Sequence, residues 1–179
     1  MTPRNPHPSQ SEKLLHAYNR MMERVKDLLE QTGHKTAPML KTSIDTAKET
    51  AVKLGELTRD EAELIGAYLR RDLEDAGEYL AETGNQFKDW FHFDMELIED
   101  RLLEMFTAAA DQTKLALLQW AQRAQYTTEY RSGEITTVGS LQCLNCGELL
   151  HFHSTGHIPP CPKCHESRFV RKGKPARDE

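Results

Sequence analysis

The sequence has no run approaching the roughly 20 apolar residues that a membrane span needs. Its first ten residues, Met1-Thr-Pro-Arg-Asn-Pro-His-Pro-Ser-Gln10, lack the apolar core of a secretory leader. These two absences give the expectation of a soluble, cytoplasmic protein. Apolar residues are scarce, at 38% against 28% charged, a balance that suits long, well-solvated helices better than a compact globule. Catalytic signatures are also missing. Acidic pairs such as Asp72/Asp75 and Asp94/Glu99 have no histidine, nucleophile or Gly-rich phosphate loop in company, so they read as solvated helix faces and no enzyme is expected. At 179 residues the chain has room for one unit or two.

Charge is unevenly distributed. The net charge is −5, yet residues 133–179 hold six Lys/Arg against five Asp/Glu, leaving 17 basic and 23 acidic groups before them. An acidic front and a basic tail suggest two modules with different partners.

The first half has the spacing of helices. Leu14, Tyr18, Met21, Val25 and Leu28 recur at intervals of four and three, with Leu15, Met22 and Leu29 as a second row. That is a heptad seam with a widened apolar stripe, closed by Thr32-Gly33. A second run carries Leu40, Ile44, Ala47, Ala51 and Leu54, with Thr36 as N-cap, Pro38 in the first turn and Gly55 at the end. Thr58 and Glu61 then form a capping box, and Ala62, Ile65, Leu69, Ala76 and Leu80 mark a third helix ending at Thr83-Gly84. A fourth run holds Phe87, Trp90, Phe91, Met95, Ile98, Leu102 and Phe106 and continues through Ala109 to Trp120 and Ala124, as one helix or two broken at Asp111. Trp90, Phe91 and Phe93 read as core packing within it. Seams of this kind are marginal alone and must pack on each other or on a second copy.

Near Tyr126 the pattern changes to β-favouring segments, 126–131 and 134–138, with Ser132-Gly133 between them as a two-residue hairpin signal. Further strands are expected at 148–153 and 167–171.

The four cysteines all lie here, as Cys143-Leu-Asn-Cys146-Gly and Cys161-Pro-Lys-Cys164-His, separated by fourteen residues. Without a leader, paired C-x2-C units point to metal rather than to disulfides. Thiolate softness and tetrahedral closure select one structural Zn2+ on Cys143, Cys146, Cys161 and Cys164, and a ribbon this small depends on it for folding. A redox dithiol would call for a βαβ context, which is absent. His151, His153, His157 and His165 crowd the module but read as surface residues, the cysteines already filling the metal's shell. Lys163, Arg168, Arg171 and Lys172 are the candidate contacts to a nucleic-acid backbone, with Phe169 as a stacking residue, weighed evenly against a solvated strand edge.

The segments Leu54-Gly-Glu-Leu-Thr-Arg-Asp-Glu61 and Arg70-Arg-Asp-Leu-Glu74 resemble those of the bacterial YbeL-like zinc-ribbon family. So do Asp111-Gln-Thr with Trp120, Ser132-Gly-Glu-Ile135 and Gly139-Ser-Leu-Gln-Cys143. The resemblance runs from about Ser11 to Val170. It implies a helical N-terminal region and a four-cysteine ribbon with all its ligands in place, and it implies no activity.

The expected architecture is therefore α+β: a tail at 1–10, antiparallel coiled-coil-like helices over 11–125, a zinc ribbon at 126–171 and a basic end at 172–179. The expected function is a non-enzymatic zinc-ribbon binding or adaptor protein, engaging a protein through its helices. The alternatives are nucleic-acid or transcription/translation-machinery binding through the ribbon, or a redox-responsive zinc-thiolate protein.

Overall fold

The computed structural model describes residues 9–32, 37–83, 100, 103–105 and 129–172. The expectations for Thr36, for the fourth apolar run with its aromatic residues and break near Asp111, and for the two ends of the chain lie outside these residues.

Helix α1 spans Gln10–Thr32. Ser9 starts it with a capping box that the spacing argument did not single out: Ser9 Oγ accepts the Glu12 N–H at 3.2 Å and the Glu12 carboxylate accepts the Ser9 N–H at 2.8 Å. Of its seam, Tyr18, Met21, Met22, Val25 and Leu29 are buried, while Leu14, Leu15 and Leu28 are half-buried. Helix α2 spans Ala37–Lys53 and buries Leu40, Ile44, Ala47 and Ala51. Leu54 departs from the expected row. The helix stops one residue before it, and its side chain is 63% exposed.

Gly55 ends α2 with φ +69°, the left-handed geometry that a Cβ disfavours. Its N–H bonds Val52 C=O and the next N–H, from Glu56, bonds Ala51 C=O, each at 3.0 Å. This Schellman pair satisfies carbonyls that the helix end would leave unpaired. Leu57 is buried, and the expected capping box follows it: Thr58 N–H to Glu61 Oε2 at 2.8 Å, and Glu61 N–H to Thr58 Oγ1 at 3.2 Å. Helix α3, Arg59–Thr83, runs antiparallel to α2, so that Lys48 meets Glu63 at 2.8 Å across the pair. It buries Ala62, Ile65, Leu69, Leu73 and Ala76, and α1 packs on both α2 and α3. Each fully buried large aliphatic side chain contributes about 1.5–3 kcal/mol to this core. A short helical stretch at 103–105 adds Leu103 and Met105. Among the described residues no helix is long and apolar enough to cross a membrane.

The described residues of the C-terminal module form six short strands: β1 Tyr130–Arg131, β2 Ile135–Thr136, β3 Gly139–Cys143, β4 Leu149–Phe152, β5 Gly156–His157 and β6 Arg168–Arg171. They form a four-stranded antiparallel sheet in the order β1-β6-β3-β4 and a small β2-β5 pair. The hairpin expected around Ser132-Gly133 does not form. A turn is there, with Glu134 N–H bonding Arg131 C=O at 3.1 Å, but β1 pairs with β6 and β2 with β5. The turn sends the chain from one sheet to the other. Tyr130, Leu141, Cys143, Leu150, Phe152, Ile158, Cys161 and Phe169 form the ribbon's own core.

The ribbon is seated on the helices. Ile135 and Val138 belong to the helical core, and Thr155 Oγ1 donates to Asn19 Oδ1 of α1 at 2.6 Å. Asp72 and Asp75 of α3 are also inside this contact, which corrects their reading as a solvated face.

Candidate metal centre

The two C-x2-C segments fold into the same turn twice. Cys143 N–H bonds Glu148 C=O at 2.8 Å, and Cys161 N–H bonds Glu166 C=O at 2.9 Å, each five residues on. Gly147 N–H returns to Cys143 C=O at 3.0 Å, and His165 N–H to Cys161 C=O at 2.9 Å. The two residues at this point, Gly147 and His165, both have positive φ, +74° and +61°. Glycine takes that conformation freely; histidine is among the residues that tolerate it. Two residues past each second cysteine a glutamate N–H points at its sulfur. The Glu148 N–H favours the Cys146 thiolate, yet burial and hydrogen bonds with the other three sulfurs push that thiol up to about 12. The Glu166 N–H favours the Cys164 thiolate. At Cys164 the Asn145 side-chain amide adds to this and leads the effect, holding that thiol down at about 6.

These turns bring four sulfurs together. Cys143 Sγ is 3.6 Å from Cys164 Sγ, Cys146 Sγ is 3.6 Å from Cys161 Sγ, and all four lie within 4.8 Å of one another. Disulfides, at about 2.05 Å, are excluded. A regular tetrahedron with Zn–S bonds of about 2.3 Å has edges of about 3.8 Å, so the cluster matches a closed S4 shell. Cys143 and Cys161 are buried, Cys146 and Cys164 half-buried. The centre holds one structural Zn2+: with four protein ligands, no position is left open for a reacting water.

The histidines stand outside the sulfur cluster. His151 is exposed, its Nδ1 2.8 Å from Ser140 Oγ, and partial burial with His153 and Lys172 nearby draws its pKa down. His157 holds Gly133 C=O at 3.0 Å, and His165 is exposed at its turn. Strand β4 ends at Phe152, so His151 and His153 do not share a strand.

The basic residues separate into two groups. Lys163 and Arg168 have side chains 64% and 52% exposed, and they reach Glu148 at 3.7 Å and Glu166 at 3.6 Å. Lys172 is half-buried at the end of β6. Arg171 and Phe169 are buried, which removes both from any contact with nucleic acid. The position of β6 explains this: it lies between β1 and β3, and Phe169, Val170 and Arg171 are all buried there.

Arg171 instead completes a buried network absent from the sequence reading. Its guanidinium donates to Thr136 Oγ1 at 2.9 Å, Tyr130 Oη at 3.1 Å and Asp72 Oδ1 at 3.4 Å. Asp72 Oδ2 accepts Tyr18 Oη at 2.7 Å, the Thr137 N–H at 3.0 Å and Thr136 Oγ1 at 3.1 Å. Tyr130 Oη donates to Asp75 at 2.6 Å. The Tyr130 ring lies between Arg71 and Arg171, whose guanidinium carbons are 3.8 and 4.7 Å from its centroid. Arg71 further bonds Glu134 and the Ile135 C=O. Burial first, then the carboxylates, raise the pKa of Tyr18 and Tyr130, so both stay neutral donors. Two guanidiniums thus face two carboxylates. One signal was legible: Asp72 sits three residues after Leu69 and four before Ala76, inside the apolar stripe of α3.

Comparison with known proteins agrees with this architecture. The family described as a zinc-ribbon containing domain matches residues 27–173. The uncharacterized protein YbeL of Escherichia coli K12 is 31% identical over 133 residues, covering 72% of this chain and 79% of that protein. YbeL of the O157:H7 strain is similar to the same extent. No solved structure matches the chain significantly.

Proposed function

This chain belongs to the zinc-ribbon containing domain family, and from that premise we propose that it is a non-enzymatic binding protein, an adaptor that engages a protein partner through its helical part. The observation that carries the reading is the closed four-sulfur site. It gives the metal a folding role and leaves no open coordination position for a substrate.

A protein partner is favoured over nucleic acid by the state of the basic residues. Arg171 and Phe169 are spent inside the molecule, and Lys163 and Arg168 each lie beside a glutamate. Leu54 and Leu64, both helical-side residues, are 63% and 47% exposed and offer apolar contact area. The test is a tagged pull-down from cell lysate with and without nuclease, joined to filter binding over a salt series. Capture of a protein that survives nuclease supports the proposal. Salt-sensitive retention of nucleic acid at low ionic strength would transfer the function to Lys163, Arg168 and Lys172. Turnover that depends on a named side chain would overturn it.

A further inference from the structure

We infer that zinc occupancy of the ribbon governs the packing of α1 and α3, through the buried network that joins Arg171 to Asp72. The path is short and continuous. Cys143 pairs with Phe169 across the β3–β6 ladder, and Leu141 pairs with Arg171 two positions along. Phe169 shares the ribbon's core with Cys143 and Cys161. From β6 the Arg171 guanidinium reaches into Asp72, Tyr130 and Thr136. Asp72 in turn receives Tyr18 of α1, which ties both helices to the same point.

The ribbon supplies most of the donors that make these buried carboxylates tolerable. Tyr130, Thr136, the Thr137 N–H and Arg171 all belong to it; among the described residues Tyr18 and Arg71 add contacts from the helices. It also supplies Ile135 and Val138 to the helical core. A ribbon of this size folds on its metal. Loss of zinc therefore withdraws, in one step, the ribbon's donors to Asp72 and Asp75 and two apolar side chains from the helical core. The helical half is thereby a reporter of the metal, although the cysteines pack in the ribbon's own core.

The test is amide hydrogen exchange on the full chain over a chelator-buffered zinc series, with the α3 segment around Leu69–Ala76 and the ribbon strands followed separately. If the two parts open together, free zinc at about 100 times its Kd slows exchange in both by about 100-fold. An α3 segment whose exchange ignores zinc while the ribbon responds overturns the inference. The double variant Asp72→Asn/Arg171→Met removes both charges together, so it leaves no buried ion alone. Its ribbon is expected to keep the full zinc response while the α3 response falls to about threefold or less. A variant whose α3 still responds fully, or whose ribbon no longer responds, would also overturn the assignment.

Discussion

Arg171 donates to Asp72 at 3.4 Å, with both side chains buried and 99 positions of chain between them. Bringing two such charges out of water is costly, and tyrosine and threonine hydroxyls offset part of that cost with hydrogen bonds to both. Removing one partner is therefore worse than removing both. Arg171→Met is expected to lower the stability of the zinc-loaded chain by roughly 3–5 kcal/mol, and adding Asp72→Asn to recover part of that loss. Urea unfolding of the wild type, both singles and the double completes the cycle. Singles that simply add would show that the two groups do not interact.

The metal centre predicts stoichiometry and ligand type. Native mass spectrometry should find one zinc per chain, and X-ray absorption should find four sulfurs at about 2.3 Å. Cys161→Ser, which replaces a buried ligand, should abolish both signals. A nitrogen ligand in the absorption spectrum would point back to the neighbouring histidines.

Glu56 gives a pH dependence of defined sign. Arg24 grips it with hydrogen bonds of 2.7 and 2.8 Å, Arg20 lies at 3.6 Å, and the Arg24 contacts hold its pKa below the usual glutamate value. A carboxylate with a lowered folded pKa stabilises fully above its unfolded pKa and loses that contribution as pH falls through the folded one. Glu56→Gln should cost about 1 kcal/mol at pH 7. The difference from wild type should shrink below about pH 4.5 and disappear in stronger acid. A constant difference across that range would refute the ion-pair account.

The repeated turn predicts an asymmetric response to glycine. At Gly147 an added Cβ would meet Gln142 Nε2 at 3.6 Å, an ordinary contact, so the cost of Gly147→Ala is conformational and comes to about 1 kcal/mol. His165→Gly relieves the same strain on the other turn, offset by added freedom in the unfolded chain, for a net change near zero. Thermal unfolding of zinc-loaded variants separates the two cases. An equal loss at both positions would mean that the His165 side chain carries a role of its own.

The features that local chemistry determines were readable in the chain. The α1 seam, the Thr58–Glu61 box, the Gly55 stop and the paired cysteines each need only residues a few positions apart. Strand pairing needed more. Ser132-Gly133 has the composition of a hairpin turn, yet which strands it joins depends on β5 and β6, more than 20 residues downstream. Strand β3, Gly139–Cys143, has no β-branched residue to announce it, although it is flanked on both sides in the sheet. Arg171 looks like a surface charge until the fold brings it to Asp72, because a charge is placed inside only by its partner. The metal site was legible because cysteine is rare here and its spacing is set by the turn; the network was not, because its members come from α1, α3, β1, β2 and β6.

Strand β6 closes the sheet from the inside, between β1 and β3, although it follows both in the sequence. Synthesis proceeds at about 5–20 residues per second, so Arg171 leaves the ribosome roughly 5–20 s after Asp72. For much of that interval α1, α2 and α3 are complete as chain while Asp72 awaits its Arg171 donor. Arg171 thus finishes both the metal-bearing module and the seat beneath it, so a message truncated just short of it would yield all four cysteines and the helices α1, α2 and α3 without the cation that pairs with Asp72.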